Sequence, residues 1–389
     1  MHDTTVIRSA AVVGCEGLQD LTIDGSGQLS AIVPSQQTPP SDKATRIIEA
    51  NGDWISLGAI DLQINGALGL AFPELQESHL PILDKICRFL WQEGIDGFLP
   101  TLVTTSIDNI HRALGVIERY NQQPHTGPAA RILGVHLEGP FLNSAKRGAH
   151  PEAYLRPLTI PQVDQVLGDY RQLVTLITLA PELDPTGEAV PYLRSLGITV
   201  SLGHSLATAA QAQAAYRQGA SMVTHAFNAM PPLHHRKPGL LGAALTTPGV
   251  ACGLIADGQH VCPTMLDLLL RSARGHSGTA LPENLFLVSD ALAPLGLPDG
   301  RYPWDTREIE VADGTARLAD GTLAGTARGL LAGAQNLVNW ELSSVEEAIA
   351  LATVAPRQAM GLPQLSVGQP ASLLRWRQVA GSQLTAQRL

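Results

Sequence analysis

The sequence predicts an α/β protein in which a TIM-like (β/α)8 barrel carries a small β-sandwich domain built from both chain ends. Eight apolar runs alternate with helical patterns over residues 55–300. β-branched segments broken by Gly, Asp and Pro occupy 1–54 and much of 301–389. Polar residues cluster where the eight runs end, which is where chemistry sits in such a barrel.

The first and last segments predict the small β domain, 1–54 plus 301–389. TTVIRSAAVV, DLTIDGSGQLSAIV and TRIIEANGDWISL alternate in polarity and are separated by turn residues, a pattern typical of antiparallel strands. REIEVADGTARLADGTLAG and SVGQPASLLRWRQVA have the same character. Between these two lies a helical stretch, about 326–360, which we expect to pack on the barrel.

The eight apolar runs predict the parallel strands of the barrel, the catalytic domain at 55–300. Several of the helical patterns between them end in Gly, a usual helix stop. The runs are ISLGAIDLQIN (55–65), DGFLPTLVT (96–104), RILGVHLEG (131–139), LVTLITLAPE (173–182), ITVSLGHS (198–205), SMVTHAFNA (221–229), VACGLIADGQH (250–260) and LFLVSDALAP (285–294). The helix candidates include LPILDKICRFLWQEG, IDNIHRALGVIERYNQ, AVPYLRSLG, ATAAQAQAAYRQG and PTMLDLLLRSARG.

Composition and charge exclude several classes of protein. The 389 residues carry a net charge of −9 and no run rich in Lys or Arg, so nucleic acid is not expected as a partner. No segment approaches the ~18 apolar residues of a membrane helix, and the first residues lack the pattern of an export signal. The four cysteines form no CxxC pair, which favours free thiols and a cytoplasmic location.

Three of the residues at run ends predict a metal site. Glu138, His204 and His225 each close a different apolar run. Two histidines and a carboxylate form a known catalytic zinc set that leaves one position for water. A lone histidine after an apolar run is more often structural, but three such residues on separate strands are a stronger signal. The other polar residues at run ends are Asp61, Gln63, Asn65, His136, Glu182, Asn228, Asp257, His260 and Asp290.

Asp290 and the first run extend this site. Asp290 ends the eighth run, where its carboxylate could exchange protons with water and a leaving amine; the alternative is a helix cap or a salt bridge at the rim. Gln63 and Asn65 are two apart and share one face of a strand. Because amides bind zinc poorly, the sequence favours a single metal, with these amides bonded to its ligands or to substrate.

Two loops carry cations and histidines near the predicted site. Residues 223–239, VTHAFNAMPPLHHRKPG, include Arg236 within a basic cluster suited to a phosphate or carboxylate, although an ordinary solvated loop fits as well. In KRGAH, His150 follows Glu138 closely and could polarise a carbonyl group. In DGQH, His260 could supply a hydrogen bond to substrate.

These motifs together resemble one known family. LGAIDLQING, GVHLEGPFLNSAKRGAH, LAPE, GHSLAT, THAFNAMPPLHHRKPG, GLIADGQHV and LVSDALAP occur in this order. The set resembles the N-acetylglucosamine-6-phosphate deacetylases of the amidohydrolase superfamily over about residues 50–375. The combination of GVHLEGP with HAFNAMPP is highly specific.

The resemblance implies that the N-acetyl group of N-acetylglucosamine 6-phosphate is hydrolysed to glucosamine 6-phosphate and acetate, in amino-sugar metabolism. It implies one divalent ion per subunit, zinc or iron, bound by Glu138, His204 and His225. Asp290 would be general base and then general acid, and His150 would help to polarise the acetyl carbonyl. The substrate contacts it implies, with the two amides added, are Gln63, Asn65, Ala149, Asn228, Ala229, Arg236, His260, Ala324, Gly325 and Thr326. Arg236 looks like the arginine that a neighbouring subunit gives to the phosphate, which implies a homodimer.

The sequence departs from the family at one segment and leaves other functions open. GTLAGTARGL (321–330) matches the family pattern loosely, and Arg328 is unusual there. The galactosamine and mannosamine analogues remain alternative substrates. A ring hydrolase of the dihydropyrimidinase or cytosine deaminase type would be expected to carry two histidines on the first strand or a lysine ligand, and neither is present in the runs. A barrel that only binds a sugar phosphate is the non-enzymatic alternative.

Overall fold

The computed structural model describes residues 4–37, 46–124, 126–277, 284–379 and 383–389. The strands are β1 (Thr5–Val12), β2 (Leu18–Ile23), β3 (Leu29–Pro34), β4 (Arg46–Glu49), β5 (Trp54–Leu57), β6 (Ala59–Ile64), β7 (Gly66–Ala67), β8 (Leu70–Ala71), β9 (Ile95–Val103), β10 (Arg131–Ile132), β11 (Val135–Glu138), β12 (Val174–Leu179), β13 (Thr199–Leu202), β14 (Met222–Val223), β15 (Ala251–Leu254), β16 (Leu285–Leu287), β17 (Gly300–Trp304), β18 (Arg307–Ala312), β19 (Thr315–Leu318), β20 (Leu323–Thr326), β21 (Leu373–Val379) and β22 (Gln383–Arg388). The helices are α1 (Leu80–Gln92), α2 (Ile107–Gln122), α3 (Ile160–Leu167), α4 (Ala189–Ser195), α5 (Ala209–Arg217), α6 (Gly239–Leu245), α7 (Pro263–Ser277), α8 (Leu330–Asn339) and α9 (Val345–Ala359).

Eight parallel strands form the predicted barrel in chain order, β6, β9 and β11 to β16. The segment after the last strand pairs with the end of the first strand through backbone hydrogen bonds, from Asn65 N to Ala291 O (2.7 Å) and from Asp290 N to Gln63 O (2.9 Å). The fold class is therefore confirmed. The first apolar run, however, is divided: β5 joins a sheet of the chain ends, and only β6 enters the barrel.

The outer helices form where apolar residues recur at helical spacing. On α1, Leu83, Ile86, Cys87 and Leu90 are buried against the barrel. Helix α5 begins with a capping box. The Thr208 hydroxyl accepts a hydrogen bond from the backbone N–H of Gln211, and the Gln211 side-chain oxygen accepts one from the backbone N–H of Thr208. All five helix candidates are present. The short helices α3 and α6 were not predicted, because seven or eight residues carry little periodicity.

The chain ends form two separate sheets. A seven-stranded mixed sheet has the order β22-β21-β5-β1-β2-β3, with β4 also paired to β1. A four-stranded antiparallel sheet, β17 to β20, packs Trp304 and Ile309 against Ala149 and Leu292 of the barrel loops. This second sheet therefore lies at the end of the barrel where the strands finish. Division of the chain at 54/55 and 300/301 stays a prediction.

A buried charged cluster joins the opposite end of the barrel to the seven-stranded sheet. The Asp96 carboxylate accepts hydrogen bonds from Arg388 Nη1 (2.6 Å), Ser372 Oγ (2.7 Å) and Arg357 Nη2 (3.0 Å). Arg357 lies on α9, so the helix, the sheet and strand β9 meet at one carboxylate. In the described part of the chain, no helix has the length and apolar character needed to cross a membrane.

Candidate active site

Glu138, His204 and His225 meet at the carboxyl ends of three barrel strands. Glu138 Oε1 lies 3.0 Å from the Nε2 atoms of both His204 and His225, and the two Nε2 atoms are 3.1 Å apart. All three residues are at most 5% exposed. Burial alone would raise the pKa of Glu138, but the hydrogen bonds with the two histidines hold it well below its usual value.

These three donor atoms fit a metal ion. The edge of a tetrahedron with bonds of about 2.0 Å is roughly 3.3 Å, close to the observed spacing of the donor atoms. His204 Nδ1 lies 2.9 Å from the Lys146 carbonyl oxygen, so that nitrogen carries the ring proton and Nε2 presents its lone pair. Within the described residues this is the one group of three His, Cys, Asp or Glu side chains able to hold an ion.

The backbone at these strand ends is held in an uncommon conformation. His204, His225 and Asp290 all have positive φ, at 48°, 28° and 48°. A non-glycine residue with positive φ costs free energy, and such residues cluster at functional sites. The turn that each one makes carries its side chain over the barrel opening.

Asp290 lies beside the cluster and is held by the two amides of the first strand. Asn65 Nδ2 donates to Asp290 Oδ1 at 2.7 Å. Gln63 Nε2 lies between the two carboxylates and donates to Asp290 Oδ1 and Glu138 Oε1, both at 3.2 Å. Burial and the nearby charge of Glu138 raise the pKa of Asp290 above its usual range. Such a carboxylate is suited to exchanging protons.

His150 faces the cluster from the loop after β11. His150 Nδ1 lies 3.0 Å from the Thr104 hydroxyl and 3.3 Å from the Thr104 backbone nitrogen; because the backbone N–H can only donate, Nδ1 is assigned as the acceptor and the ring proton to Nε2. His150 Nε2 lies 4.0 Å from Glu138 Oε1. Burial and the neighbouring His204 lower the pKa of His150 to about 3, which keeps the ring neutral. The residue can therefore donate one hydrogen bond toward a group bound at the cluster.

A cavity of about 720 Å³ opens above these residues. His260 contributes to its wall, and its Nδ1 is bonded to Asp257 Oδ2 at 2.7 Å. Arg307 and Trp304 come from the four-stranded sheet, and Arg307 Nη2 donates to Ala149 O at 2.9 Å. The predicted site residues that line the cavity are Asn65, Glu138, Ala149, His150, His204, His225, Asn228, Ala229, His260, Asp290 and Ala324.

Comparison with known proteins identifies the family. The chain is 39% identical over 323 residues to the N-acetylglucosamine-6-phosphate deacetylase of Mus musculus, which covers 81% of this chain and 76% of that protein. It is 33% identical over 378 residues to the N-acetylgalactosamine-6-phosphate deacetylase of Escherichia coli O157:H7, with coverage of 95% and 94%. This chain belongs to the N-acetylglucosamine-6-phosphate deacetylase family. The resemblance predicted from the motifs is thereby confirmed.

A solved structure of the same family agrees with the fold. The crystal structure of N-acetylglucosamine-6-phosphate deacetylase from Pasteurella multocida matches with a TM-score of 0.82 and 30% identity, over 98% of this chain and 97% of that chain. No protein-family model matches the chain.

Strand β20 explains why the GTLAG segment of the family lies near the site. Thr326 N donates to Asp290 O at 3.0 Å, so β20 pairs with the backbone that carries Asp290. Gly325 is required there, because a Cβ would lie 2.7 Å from the same carbonyl oxygen. Gly325 and Thr326 therefore lie behind Asp290. Arg328 points elsewhere, since its guanidinium donates to the carbonyl oxygen of Asp313.

Four predicted site residues lie outside the lining of the cavity, namely Gln63, Arg236, Gly325 and Thr326. Arg236 is exposed on the loop after α5 and β14, outside the lining of the cavity. Glu182 accepts hydrogen bonds from Asn143 Nδ2 and Ser205 Oγ, so it holds the loop that carries His204. His136 is buried one layer deeper in the barrel, between the hydroxyls of Thr101 (3.1 Å) and Thr178 (2.8 Å).

Sequence reasoning missed Thr104, Trp304 and Arg307. Thr104 fixes the tautomer of His150, and the other two residues wall the cavity from a separate sheet. No local pattern marks them, since the contact of Thr104 with His150 spans 46 residues of sequence and that of Arg307 with Ala149 spans 158.

Proposed function

We propose that this protein hydrolyses the N-acetyl group of N-acetylglucosamine 6-phosphate to glucosamine 6-phosphate and acetate, in amino-sugar metabolism. The observation that carries the proposal is the convergence of Glu138, His204 and His225 opposite Asp290 and His150. The names and the extent of identity of its relatives support the same substrate class.

The cofactor we propose is one divalent ion per subunit, most consistently Zn²⁺, with Fe²⁺ as the second choice. Two imidazole nitrogens and one carboxylate oxygen are ligands that zinc accepts readily. The amide groups of Gln63 and Asn65 donate hydrogen bonds to the carboxylates of Glu138 and Asp290, respectively, which supports a single ion. The four free cysteines, at 15, 87, 252 and 262, are consistent with the cytoplasm as the compartment.

Glu138, His204 and His225 would hold the divalent ion, which when bound would lower the pKa of a water molecule and polarise a carbonyl group. Asp290 takes a proton from the attacking water as the oxygen bonds to the acetyl carbon. His150 donates its Nε2–H to the oxygen that becomes negative. Asp290 then returns the proton to the amine nitrogen as the C–N bond breaks. Gln63 and Asn65 hold the Asp290 carboxylate in position through both steps.

The sugar and its phosphate are assigned to the side of the cavity formed by Asn228, Ala229 and His260. Ala149 and Ala324, which line the same cavity, complete the proposed contacts, and Gly325 and Thr326 support Asp290 from behind. We assign Arg236 to the phosphate in the cavity of a second subunit, so the active form is a homodimer. The exposure of Arg236, away from its own cavity, is consistent with this assignment.

A panel of N-acetyl hexosamine 6-phosphates tests the function. We expect release of acetate from the glucosamine form at the highest kcat/KM, and about one mole of zinc or iron per mole of subunit by elemental analysis. Preference for the galactosamine form is the second candidate, since a relative of that name matches 95% of this chain. Tight binding of the sugar phosphates without acetate release would show that the protein binds these molecules and does not hydrolyse them.

A further inference from the structure

One side of the cavity carries apolar side chains beside the polar residues Glu74, Thr104, Thr105 and Asn109. The end of the second barrel strand and the segments after the first and third strands contribute Ala71, Pro73, Val103 and Tyr154 to its lining, and we name these four residues the acyl arm. Ala71 and Pro73 are buried, and Tyr154 is 40% exposed at the mouth. We propose that the acyl arm binds unbranched N-acyl groups longer than acetyl, so that the enzyme also hydrolyses N-propanoyl and N-butanoyl hexosamine 6-phosphates.

The position of the acyl arm follows from the order of the barrel strands. The eight strands are neighbours in chain order, so strands two and three lie across the opening from strands six and seven. Asn228, Ala229 and His260 follow strands six and seven, and Val103 and Tyr154 belong to strands two and three. The acyl arm and the proposed sugar side are therefore on opposite walls.

The reacting amide lies between these walls. Its carbonyl group is bound between the ligand cluster and His150, whose Nδ1 is bonded to Thr104 at the end of strand two. The carbonyl carbon carries the sugar nitrogen on one side and the acyl chain on the other. With the sugar on the wall of strands six and seven, the acyl chain points into the acyl arm. This inference rests on the proposed function, because it uses that orientation of the substrate.

Volume and charge decide which acyl groups fit. The cavity of about 720 Å³ lies in the upper part of the range for drug-sized ligands, roughly 300–1,000 Å³, and a hexosamine phosphate is smaller than such ligands. Among the described residues, Arg307 is the one Lys or Arg side chain that lines the cavity, and Asp305 neutralises it. Glu74 lies on the same side as the acyl arm. Neutral alkyl chains fit this wall, and an acyl chain ending in a carboxylate does not.

The chemistry is that of the proposed reaction with a longer acyl group. One water molecule adds across the amide: its oxygen enters the released carboxylate, and both of its protons end on the amine, which leaves as an ammonium group. Asp290 carries the first of these protons. No oxidant or other co-reactant is needed.

The experiment compares N-acetyl, N-propanoyl, N-butanoyl and N-succinyl glucosamine 6-phosphate with the ion-loaded enzyme. A pocket closed around a methyl group rejects one extra methylene by about 10–200-fold, so we expect propanoyl and butanoyl substrates to retain kcat/KM within about tenfold of acetyl. The succinyl substrate should lose more than about a hundredfold. A loss beyond about tenfold at propanoyl overturns the proposal while leaving the deacetylase function intact. If the acetyl substrate itself is not hydrolysed, both the acyl-arm proposal and the proposed deacetylase function are wrong.

Variants locate the effect. Val103→Phe and Ala71→Leu fill the acyl arm, and either should lower the butanoyl-to-acetyl ratio of kcat/KM by about tenfold or more. Val367→Phe is the matched control, because Val367 is 58% exposed outside the cavity, and its ratio should equal that of the wild type. Should one filling variant not fold, the other and the wild-type series still decide. Unchanged ratios in both would show that the chain binds elsewhere.

Discussion

At the scale of single residues, the surroundings of two buried carboxylates shift their pKa values in opposite directions. Glu138 has a lowered pKa because two histidines are bonded to it, whereas Asp290 has a raised pKa because it is buried beside Glu138. Opposite shifts in neighbouring acids divide the roles between them. Glu138 stays ionised, as its proposed role as a ligand requires, and Asp290 is able to accept and return a proton. Gln63, bonded to both, keeps the pair at a fixed separation.

Asp290→Asn separates proton transfer from ion binding. The amide keeps the shape of the side chain but cannot accept the proton, so kcat should fall by about 10²–10⁴-fold. Ion content by elemental analysis should remain that of the wild type, because the ligand atoms are untouched. Asp267→Asn, on the outer helix α7, serves as the control with normal turnover. Wild-type kcat in the Asp290 variant would remove Asp290 from the mechanism.

Asp61 predicts a pH dependence of stability. Burial raises the pKa of Asp61 to about 7, from an ordinary value of 3.8. Between pH 4 and 7 the folded state therefore holds a proton that the unfolded state has lost, so the free energy of unfolding falls as pH rises. The contribution of this group is up to about 1.4 kcal/mol per pH unit.

Asp61→Asn should remove that slope, since the amide oxygen can still accept the N–H groups of Ser289 and Gln63. Urea unfolding of the ion-loaded protein at several pH values measures it. Parallel stability curves for the variant and the wild type between pH 4 and 7 would mean that Asp61 is ionised in the folded protein throughout.

The residue scale also sets the limit of prediction from sequence. Glu138, His204, His225 and Asp290 could be proposed because each closes an apolar run, and parallel strands bring such ends together. His136 ends a run in the same way but lies a layer below, bonded to Thr101 and Thr178. His136 and Glu138 are two residues apart and face the same side of the strand, so the sequence pattern does not show which of them lies at the barrel opening.

At the scale of elements, β20 acts on the site through its backbone. Its pairing with the segment at Asp290 extends the barrel edge and fixes the turn that presents the carboxylate. The GTLAG motif indicated contact with the site, but only the structure shows that the contact is a backbone hydrogen bond behind Asp290. Alternation of polarity predicts strands well; which strand pairs with which depends on the loops between them.

Gly325→Ala tests this pairing. Its Cβ would lie 2.7 Å from the Asp290 carbonyl oxygen, so β20 must shift and kcat should fall by about tenfold or more. Gly321→Ala is the matched control: its φ is also positive, at 85°, but no atom lies within 4 Å of the added carbon. Both should lose about 1 kcal/mol of stability from strained backbone. Equal kcat in the two variants would show that the pairing does not position Asp290.

At the scale of the whole molecule, the two sheets outside the barrel contact opposite ends of it. The seven-stranded sheet is joined to the start of β9 through Asp96, remote from the chemistry. The four-stranded sheet covers the opening and supplies Trp304 and Arg307 to the cavity. Eight alternating units predicted the barrel correctly, since a repeated strand–helix pattern has few arrangements. Nothing in the strand patterns at the ends distinguished the two positions.

The proposed homodimer permits complementation between variants, because each subunit would donate an arginine to the site of the other. Arg236→Ala and Asp290→Asn homodimers should each be nearly inactive at low substrate concentration. After subunit exchange, a mixed dimer has one site with an intact Asp290 that receives Arg236 from the other subunit. Random exchange of equal amounts should therefore restore about a quarter of wild-type specific activity.

If Arg236 acted in its own subunit, every site of the mixed dimer would lack either the arginine or the aspartate, and activity would not return. Lys237→Ala, at the neighbouring exposed position, should remain active without mixing. The KM of the Arg236 variant adds a second measurement, since removal of a phosphate contact raises it for the phosphorylated sugar and leaves the value for the unphosphorylated sugar nearly unchanged. Recovery of activity on mixing shows that Arg236 is donated across the interface, and the selective rise in KM shows that it contacts the phosphate. The proposal requires both results, because either one can arise without the other.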